Sequence, residues 1–308
     1  MKTDKIAILL ATYNGEHYLR EQIDSLLGQS MQEWVLCIHD DGSKDDTVRI
    51  INEYVQKYPE KIFIIDGEPT GCARNNFFYL FGQVEAPYYM CCDQDDVWLE
   101  DKVKSTFDKM RELETTGAHT PCLVYTELKV VDGELNTIAE TMSEYQSLDC
   151  TIQTINQYLI QNSVTGCTMM TNRALRDKVL EIRNVENTIM HDWWIALVAA
   201  WFGKVAFIEE PTILYRQHSD NSVGALQINK VSYIIRRIWQ KEQIQETLAA
   251  GRTQAKEFAD TYCLNRASLP AQFSDIGNVG KVKRLVFYKE NKMYKSGITR
   301  KFGQIVWG

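Results

Sequence analysis

The sequence predicts an α/β fold: a Rossmann-like, mixed and mainly parallel central sheet flanked by helices, with a C-terminal helical appendage. Three observations carry this expectation. The first hundred residues alternate short apolar runs with helical stripes. The runs are uninterrupted, as in strands buried on both faces. After about Ala225 the composition changes to long amphipathic stretches.

Lys5–Thr12, KIAILLAT, is the first apolar run, and GEHYLREQIDSLLGQS then spaces Tyr18, Leu19, Ile23, Leu26 and Leu27 as one helical face. EWVLCIHD is the second strand and ends at DDGSKDDT, where Ser43 or Asp45 can cap the helix DTVRIINEYVQKY. KIFIID, a helix through CARNNFFYLFGQV, the strand YYMCC and the helix LEDKVKSTFDKMRELE complete a βαβαβαβ succession. Such a succession implies a doubly wound sheet whose ligand crevice lies beyond the carboxyl ends of its strands. Further on, CLVYTELKVVD reads as a strand turning at Asp132-Gly133, SLDCTIQTINQYLIQ as helical and TGCTMMT as a short strand. NRALRDKVLEI and HDWWIALVAAWFG read as helices, the second buried, and KVAFIEEPTILYRQH as a strand pair bent at Pro211. The expected division is an α/β unit over residues 1–225 and a helical, basic and aromatic segment over residues 226–308.

Composition narrows the function classes. In 308 residues, 44% hydrophobic and 24% charged content is ordinary for a folded chain and excludes global disorder. A formal charge of −7 opposes nucleic-acid binding by the whole molecule. The charge is uneven, however. Val279–Gly308 carries Lys281, Lys283, Arg284, Lys289, Lys292, Lys295, Arg300 and Lys301 against Glu290 alone, interleaved with residues such as Val286, Phe287, Phe302 and Ile305. That mixture suits an anionic membrane surface or, equally, a packed appendage with a solvated basic face. No apolar run reaches the ~18 residues of a spanning helix. The N-terminal apolar run is about seven residues long, too short for a signal peptide. Eight cysteines with no CxxC pair, several inside apolar runs, read as small buried hydrophobes of a cytosolic chain.

Three polar clusters, TYNGE, DDGS and DQDD, each follow a predicted strand and should gather at one sheet edge. In an extended segment Asp93 and Asp95 project the same way and converge on one point, where a hard divalent cation would relieve their repulsion. The alternative is a solvated acidic turn, with Asp95 and Asp96 starting the next helix. Asp40 or Asp41 can accept from a base N–H or a ribose hydroxyl, or form an Asx turn. Tyr13 offers a ring for stacking and Glu16 an acceptor. Neither GxGxxG nor GxxxxGK[ST] occurs, which removes the main support for dinucleotide-dehydrogenase and P-loop readings. Arg216, Lys102 and Arg74 each suit either phosphate oxygens or pairing with a surface acid.

Taken together, ILLATYNGEHYLREQIDSLLGQS, HDDGSKDDT, DQDDVW and the later HDWW and YRQHSDN resemble family 2 glycosyltransferases of the GT-A fold, over roughly Ile6 to Ser222. The QDDVW and YRQHSDN wording is most similar to the bacterial rhamnosyltransferase branch that builds cell-surface polysaccharides. The resemblance implies an inverting, metal-dependent transferase, with Mg²⁺ or Mn²⁺ as cofactor. It implies that Thr12, Tyr13, Asn14, Glu16, Asp40, Asp41 and Asp93 meet the nucleotide, and that Asp93, Asp95 and His218 surround the metal. Asp192 matches the catalytic base, although His191 stands where many relatives carry an acid. Gly166 falls in the region that lines the acceptor site in relatives, and Trp193 offers a ring for sugar stacking at that site or, equally in type, for the core. The donor it points to is dTDP-L-rhamnose, with a UDP-hexose as the alternative, and the acceptor is a glycan or lipid-linked glycan. The expected location is the cytoplasm, with peripheral contact to the inner face of the plasma membrane where the basic, aromatic C-terminal segment serves as a membrane-surface element, and with no nucleic acid as partner. Two other readings are a non-catalytic nucleotide- or carbohydrate-binding homologue and a sugar-phosphate nucleotidyltransferase. The first is opposed by the presence of all the acids, the second by the lack of a Gly-rich, Arg-containing loop after the first strand.

Overall fold

A computed structural model describes residues 1–115, 119–218 and 241–308. The four predicted strands of the first hundred residues are β1 (Ile6–Thr12), β2 (Trp34–Asp40), β3 (Ile62–Ile64) and β4 (Tyr88–Cys92). They pair in parallel in the order β3-β2-β1-β4, so the strand order reverses between β1 and β4. Such a reversal opens a crevice at the carboxyl ends of the strands. The intervening helices are α1 (Leu19–Leu27), α2 (Thr47–Lys57) and α3 (Ala73–Gln83).

Side-chain alternation sorts these elements onto two faces. Ile6, Ile8, Leu10, Trp34, Leu36 and Ile38 point to the face covered by α1, α2 and α4 (Lys102–Glu114). Ala7, Leu9, Val35 and Cys37 point to the other, against Phe77, Leu80 and Phe81 of α3. Burial on both faces explains why the strands carry no polar alternation.

Beyond β4 the sheet becomes mixed. A two-residue β5 (Val97–Trp98) precedes α4, followed by β6 (Cys122–Val131), β7 (Thr137–Ala139), α5 (Met142–Gln146), α6 (Ile155–Ile160), β8 (Met170–Asn172), α7 (Arg173–Val179), α8 (His191–Phe202) and β9 (Lys204–Arg216). The path continues β4-β8-β6-β9-β5, with β8 antiparallel to both β4 and β6, and β6 parallel to β9.

Three expectations need correction here. KVAFIEEPTILYR is one strand rather than a bent pair. Pro211 sits opposite Glu127 where the β6 ladder slips register, so its missing N–H falls at a break that already exists. Of SLDCTIQTINQYLIQ only Ile155–Ile160 is helical, because Ser147 turns left-handed at φ +49° and Asp149 bonds Thr151 in a local turn. Gly166–Thr168 is a 3₁₀ turn, and only Met170–Asn172 pairs as strand.

The C-terminal helices α9 (Lys241–Thr261), α10 (Leu269–Asp275), α11 (Lys281–Glu290) and α12 (Ile298–Trp307) lie on the α3–α8 side. Ile244, Leu248, Phe258, Phe273 and Tyr288 share one apolar cluster with Trp194 and Ala196 of α8. The expected boundary at residues 225/226 lies outside the described residues. No helix among the described residues is long and apolar enough to cross a membrane. All eight cysteines are unpaired, six of them buried.

The turn from α8 into β9 is packed to contact. A Cβ on Gly203 would stand 1.8 Å from the Pro121 carbonyl oxygen, which accepts from Lys204 N at 2.9 Å. Gly203→Ala is therefore expected to lower stability by about 2 kcal/mol through overpacking, read as a shifted denaturant midpoint with an unchanged slope.

Candidate active site

Hydrogen bonds between loops build the rim at the carboxyl ends of β1, β2 and β4. The Gln94 amide accepts from Tyr13 N at 2.8 Å and donates to Tyr13 O at 3.0 Å. A Cβ at Gly15 would fall 2.3 Å from Gln94 Oε1, so glycine is what lets this amide in. Asn14 takes φ +47°, a region asparagine tolerates. From there it accepts from Lys44 N at 2.8 Å, and its own N–H donates to Ser43 Oγ at 2.8 Å. Glu16 accepts from Asp46 N at 2.8 Å, while Glu16 N donates to Asp45 Oδ2 at 3.1 Å. These contacts lock the β1 loop onto the start of α2.

The two acids of DDGS differ. Asp40 Oδ1 accepts from Thr12 Oγ1 at 3.0 Å and Ser43 Oγ at 2.6 Å, and its Oδ2 from Gly42 N at 3.1 Å and Ser43 N at 2.8 Å. Both oxygens are thus consumed in shaping the turn. Asp41 takes three bonds on Oδ1, from Thr70 N, Thr70 Oγ1 and Gly71 N, and leaves Oδ2 open. Among the residues expected at the nucleotide, Tyr13 (53% exposed) and Asp41 keep recognition groups available. Thr12, Asn14, Glu16 and Asp40 are engaged within the protein.

The acid turn departs from the expected geometry. Asp93 to Asp96 lie past the end of β4, so strand alternation does not apply to them. Oxygens of Asp93 and Asp96 and Sγ of Cys167 lie within 4.8 Å of one another, whereas Asp95 Oδ2 meets His218 Nε2 at 2.8 Å. Nor does Asp95 or Asp96 start the following helix, because β5 intervenes and α4 begins at Lys102. Asp96 is fully buried, with Oδ1 accepting from Arg216 N at 3.1 Å and Oδ2 left without a partner. Burial first, then the charges of Asp95 and Asp93, push its carboxyl well above the usual carboxylate range. Burial, Asp95 and Asp192 raise Asp93 likewise. Converging oxygens, one of them buried without a partner, fit a divalent cation that Asp93 and Asp96 could hold, with Cys167 beside them and the Asp95–His218 pair as neighbours of the turn.

Arg216 settles its own ambiguity. Only 2% exposed, it donates through Nε to Asp95 O at 2.8 Å, through Nη1 to Gly133 O and through Nη2 to Glu21, with the guanidinium 4.5 Å from the Tyr18 ring centroid. It ties β9, the acid turn and α1 together. Lys102 is buried under the same turn, 4.6 Å from the Trp98 ring centroid, and donates to Thr168 O at 3.3 Å and Thr212 Oγ1 at 3.5 Å. Burial lowers its ammonium to about 8. Arg74 bonds Glu186 and Thr188 O.

Asp192 occupies the first turn of α8, after Met190 at the cap position. Asn162 Nδ2 donates to Asp192 Oδ1 at 3.1 Å, and the Gly166 and Trp193 backbones also bond the carboxylate. Burial nevertheless raises its carboxyl to about 7. Its neighbour His191 stacks on Phe77 at a centroid distance of 4.1 Å, with both ring nitrogens unpartnered and the imidazole lowered by burial to about 3. A Cβ on Gly166 would stand 2.7 Å from His191 Nε2, so the space this glycine opens is filled by the His191 ring. Trp193 donates its indole N–H to Tyr158 O, and Trp194 is fully buried. Asn162 and Cys167 were not anticipated: both contact their acids only through space, and no local pattern marks them.

The pattern of glycosyl transferase family 2 matches residues 7–181. This chain belongs to glycosyl transferase family 2. A dTDP-rhamnosyl transferase, RfbG of Shigella flexneri, is 30% identical over 251 residues, covering 76% of this chain and 82% of that one. An uncharacterized glycosyltransferase of Nostoc, alr2836, is 26% identical over 71% of this chain, and the match spans 66% of its own length. Among solved structures, S. aureus TarS 1-349 in complex with UDP superposes with a TM-score of 0.55 at 16% identity, covering 94% of this chain and 92% of that one. The mannosyltransferase PcManGT of Pyrobaculum calidifontis, in complex with GDP-Man and Mn²⁺, gives 0.51 at 13% identity, covering 94% and 82%. The glycosyltransferase thus has the GT-A fold, and it is a transferase with a rhamnosyltransferase among its relatives.

In this glycosyltransferase, Arg216→Lys is expected to lose the planar fork that joins three elements. The cost should be about 1–3 kcal/mol, read by denaturant melting. Faster amide exchange should appear around Asp95–Val97.

Proposed function

We propose that this family 2 enzyme moves L-rhamnose from dTDP-rhamnose to a hydroxyl of a growing bacterial surface glycan, with inversion and with a divalent cation at the acid turn. The observation that carries the reading is Asp192, a buried carboxylate tuned near neutrality and fixed by Asn162 close enough to Asp93 for their charges to interact. The rhamnose donor is taken from the relative at 30% identity.

The chain's own groups divide the work. The Tyr13 ring stacks on the nucleobase, and the open Asp41 oxygen accepts from a base N–H or a ribose hydroxyl. Asp93 and Asp96 would hold a divalent cation, which would supply positive charge to the leaving diphosphate. The anomeric carbon–oxygen bond breaks with its electron pair going to the diphosphate. The acceptor oxygen attacks from the opposite face, and its proton passes to Asp192. Asn162 and the Gly166 amide orient that carboxylate, and the start of α8 favours its charged form. The acceptor in this reading is a lipid-linked glycan presented at the inner face of the plasma membrane.

Screening nucleotide sugars for turnover tests the class and the donor together. dTDP-rhamnose is expected to be consumed, and preference for a UDP-hexose would replace the donor while keeping the class. Asp192→Asn should keep donor affinity and lose at least about 10²-fold in transfer, the range of a general base; wild-type transfer would remove Asp192 from the mechanism. A base works ionised, so kcat/KM at saturating metal should fall about tenfold per pH unit below about 7 and level off above it. Chelation by EDTA is expected to abolish donor turnover, with recovery on adding Mn²⁺ or Mg²⁺. Activity that survives exhaustive chelation would remove the cation from the site.

A further inference from the structure

The apolar residues left in solvent are concentrated at the end of the chain. Of twelve exposed large hydrophobics among the described residues, five lie on α11 and α12: Val282 (76% exposed), Val286 (47%), Ile298 (89%), Phe302 (53%) and Ile305 (36%). Their spacings are i, i+4 on α11 and i, i+4, i+7 on α12, so each helix carries a coherent outward stripe. The inward face of α12 is separate and already satisfied, with Gly303 and Gln304 buried. Exposed Lys283, Lys289, Lys292 and Lys301 accompany the stripes.

This hairpin is fixed to the protein. Lys281 Nζ donates to Val306 O at 2.6 Å and Arg284 to Gly308 O at 3.0 Å, joining the start of α11 to the end of α12. Gln304 Nε2 donates to Met293 O at 2.8 Å and Gln304 Oε1 accepts from Lys295 N at 3.0 Å, closing the connecting loop. The loop docks on the segment that holds the candidate base. Ser296 N donates to Gln161 Oε1 at 2.6 Å, and the next residue, Asn162, holds Asp192.

We propose that the α11–α12 hairpin is a membrane-docking surface. Its aliphatic and Phe302 stripes enter the headgroup–acyl boundary of an anionic bilayer, and its lysines rest among the headgroups. A helix with an apolar stripe and a lysine-rich polar face lies in that interface, and each lysine near an anionic leaflet adds attraction. A second copy of the chain is the weaker occupant, because self-pairing would bring two sets of like charges together. Docked this way, the hairpin sets Gln161–Asn162, and through them Asp192, at a fixed depth relative to the lipid surface. That consequence rests on the proposed lipid-linked acceptor, whereas the membrane binding stands apart from it.

Vesicle sedimentation of the full chain tests the surface without any transfer assay. The protein is expected to pellet with phosphatidylcholine–phosphatidylglycerol vesicles, to stay in solution with phosphatidylcholine alone, and to be released by salt. Lys283→Glu and Lys289→Glu should each weaken partitioning by about fivefold or more. Phe302→Glu should weaken it at least as much. Acceptor-independent donor hydrolysis should be unchanged in all three variants, showing that they are folded. Equal pelleting of wild type and variants, or none with either vesicle, overturns the proposal. So does a dimer that Phe302→Glu dissociates while no vesicle binds. Retained vesicle binding with no sugar transfer from any donor would instead sink the enzymatic reading and leave the surface standing.

Discussion

Three carboxylates in four positions would scatter if nothing restrained them, and a buried guanidinium supplies the restraint. Arg216 reaches from the last residue of β9 to the Asp95 carbonyl, while its backbone N–H anchors Asp96 and its far end grips Glu21 on α1. The arginine spends its donors mostly on main-chain carbonyls and on one acid outside the turn. The repulsion within the turn is therefore left for protons or a cation to relieve: burial and neighbouring charge raise the Asp93 carboxyl to about 7 and the Asp96 carboxyl well above the usual carboxylate range. In the proposed function a cation would relieve that repulsion in place of protons. Lys102, buried below, offsets part of the charge from a distance, since it bonds Thr168 and Thr212 rather than any carboxylate.

The proposed base is held by a different logic. Asp192 has no cation in contact among the described residues. Its carboxylate leans on an asparagine side chain and on peptide N–H groups, and burial raises its proton affinity. The stacked, neutral His191 next to it brings no charge to disturb that balance and acts as a wedge between Phe77 and Gly166. His191 is thus a packing element.

Legibility in the sequence followed burial. β1, β2 and β4 were readable because double-sided burial writes continuous apolar runs, and α1, α2 and α4 because amphipathic stripes repeat over several turns. β5 and β7, two and three residues long, are too short to write any pattern. β9 was misread at Pro211 because the break in the β6 ladder that tolerates it is a property of the partner strand. The site divided along the same line. Asp93, Asp95 and Asp192 stand out by type and place, whereas the choice between Asp40 and Asp41 depended on hydrogen bonds from Thr12, Ser43 and Thr70, and no spacing rule encodes these. Asn162 lies thirty positions from the acid it orients, so only the folded chain reveals it.

The paired amide contact between Gln94 and Tyr13 carries a mechanical consequence. One partner belongs to the acid turn, the other carries the exposed ring, and two short bonds join them across the crevice. Any shift of the turn drags the ring along. The acid turn and the aromatic end of the cleft are therefore geared together, and a displacement that starts at one reaches the other.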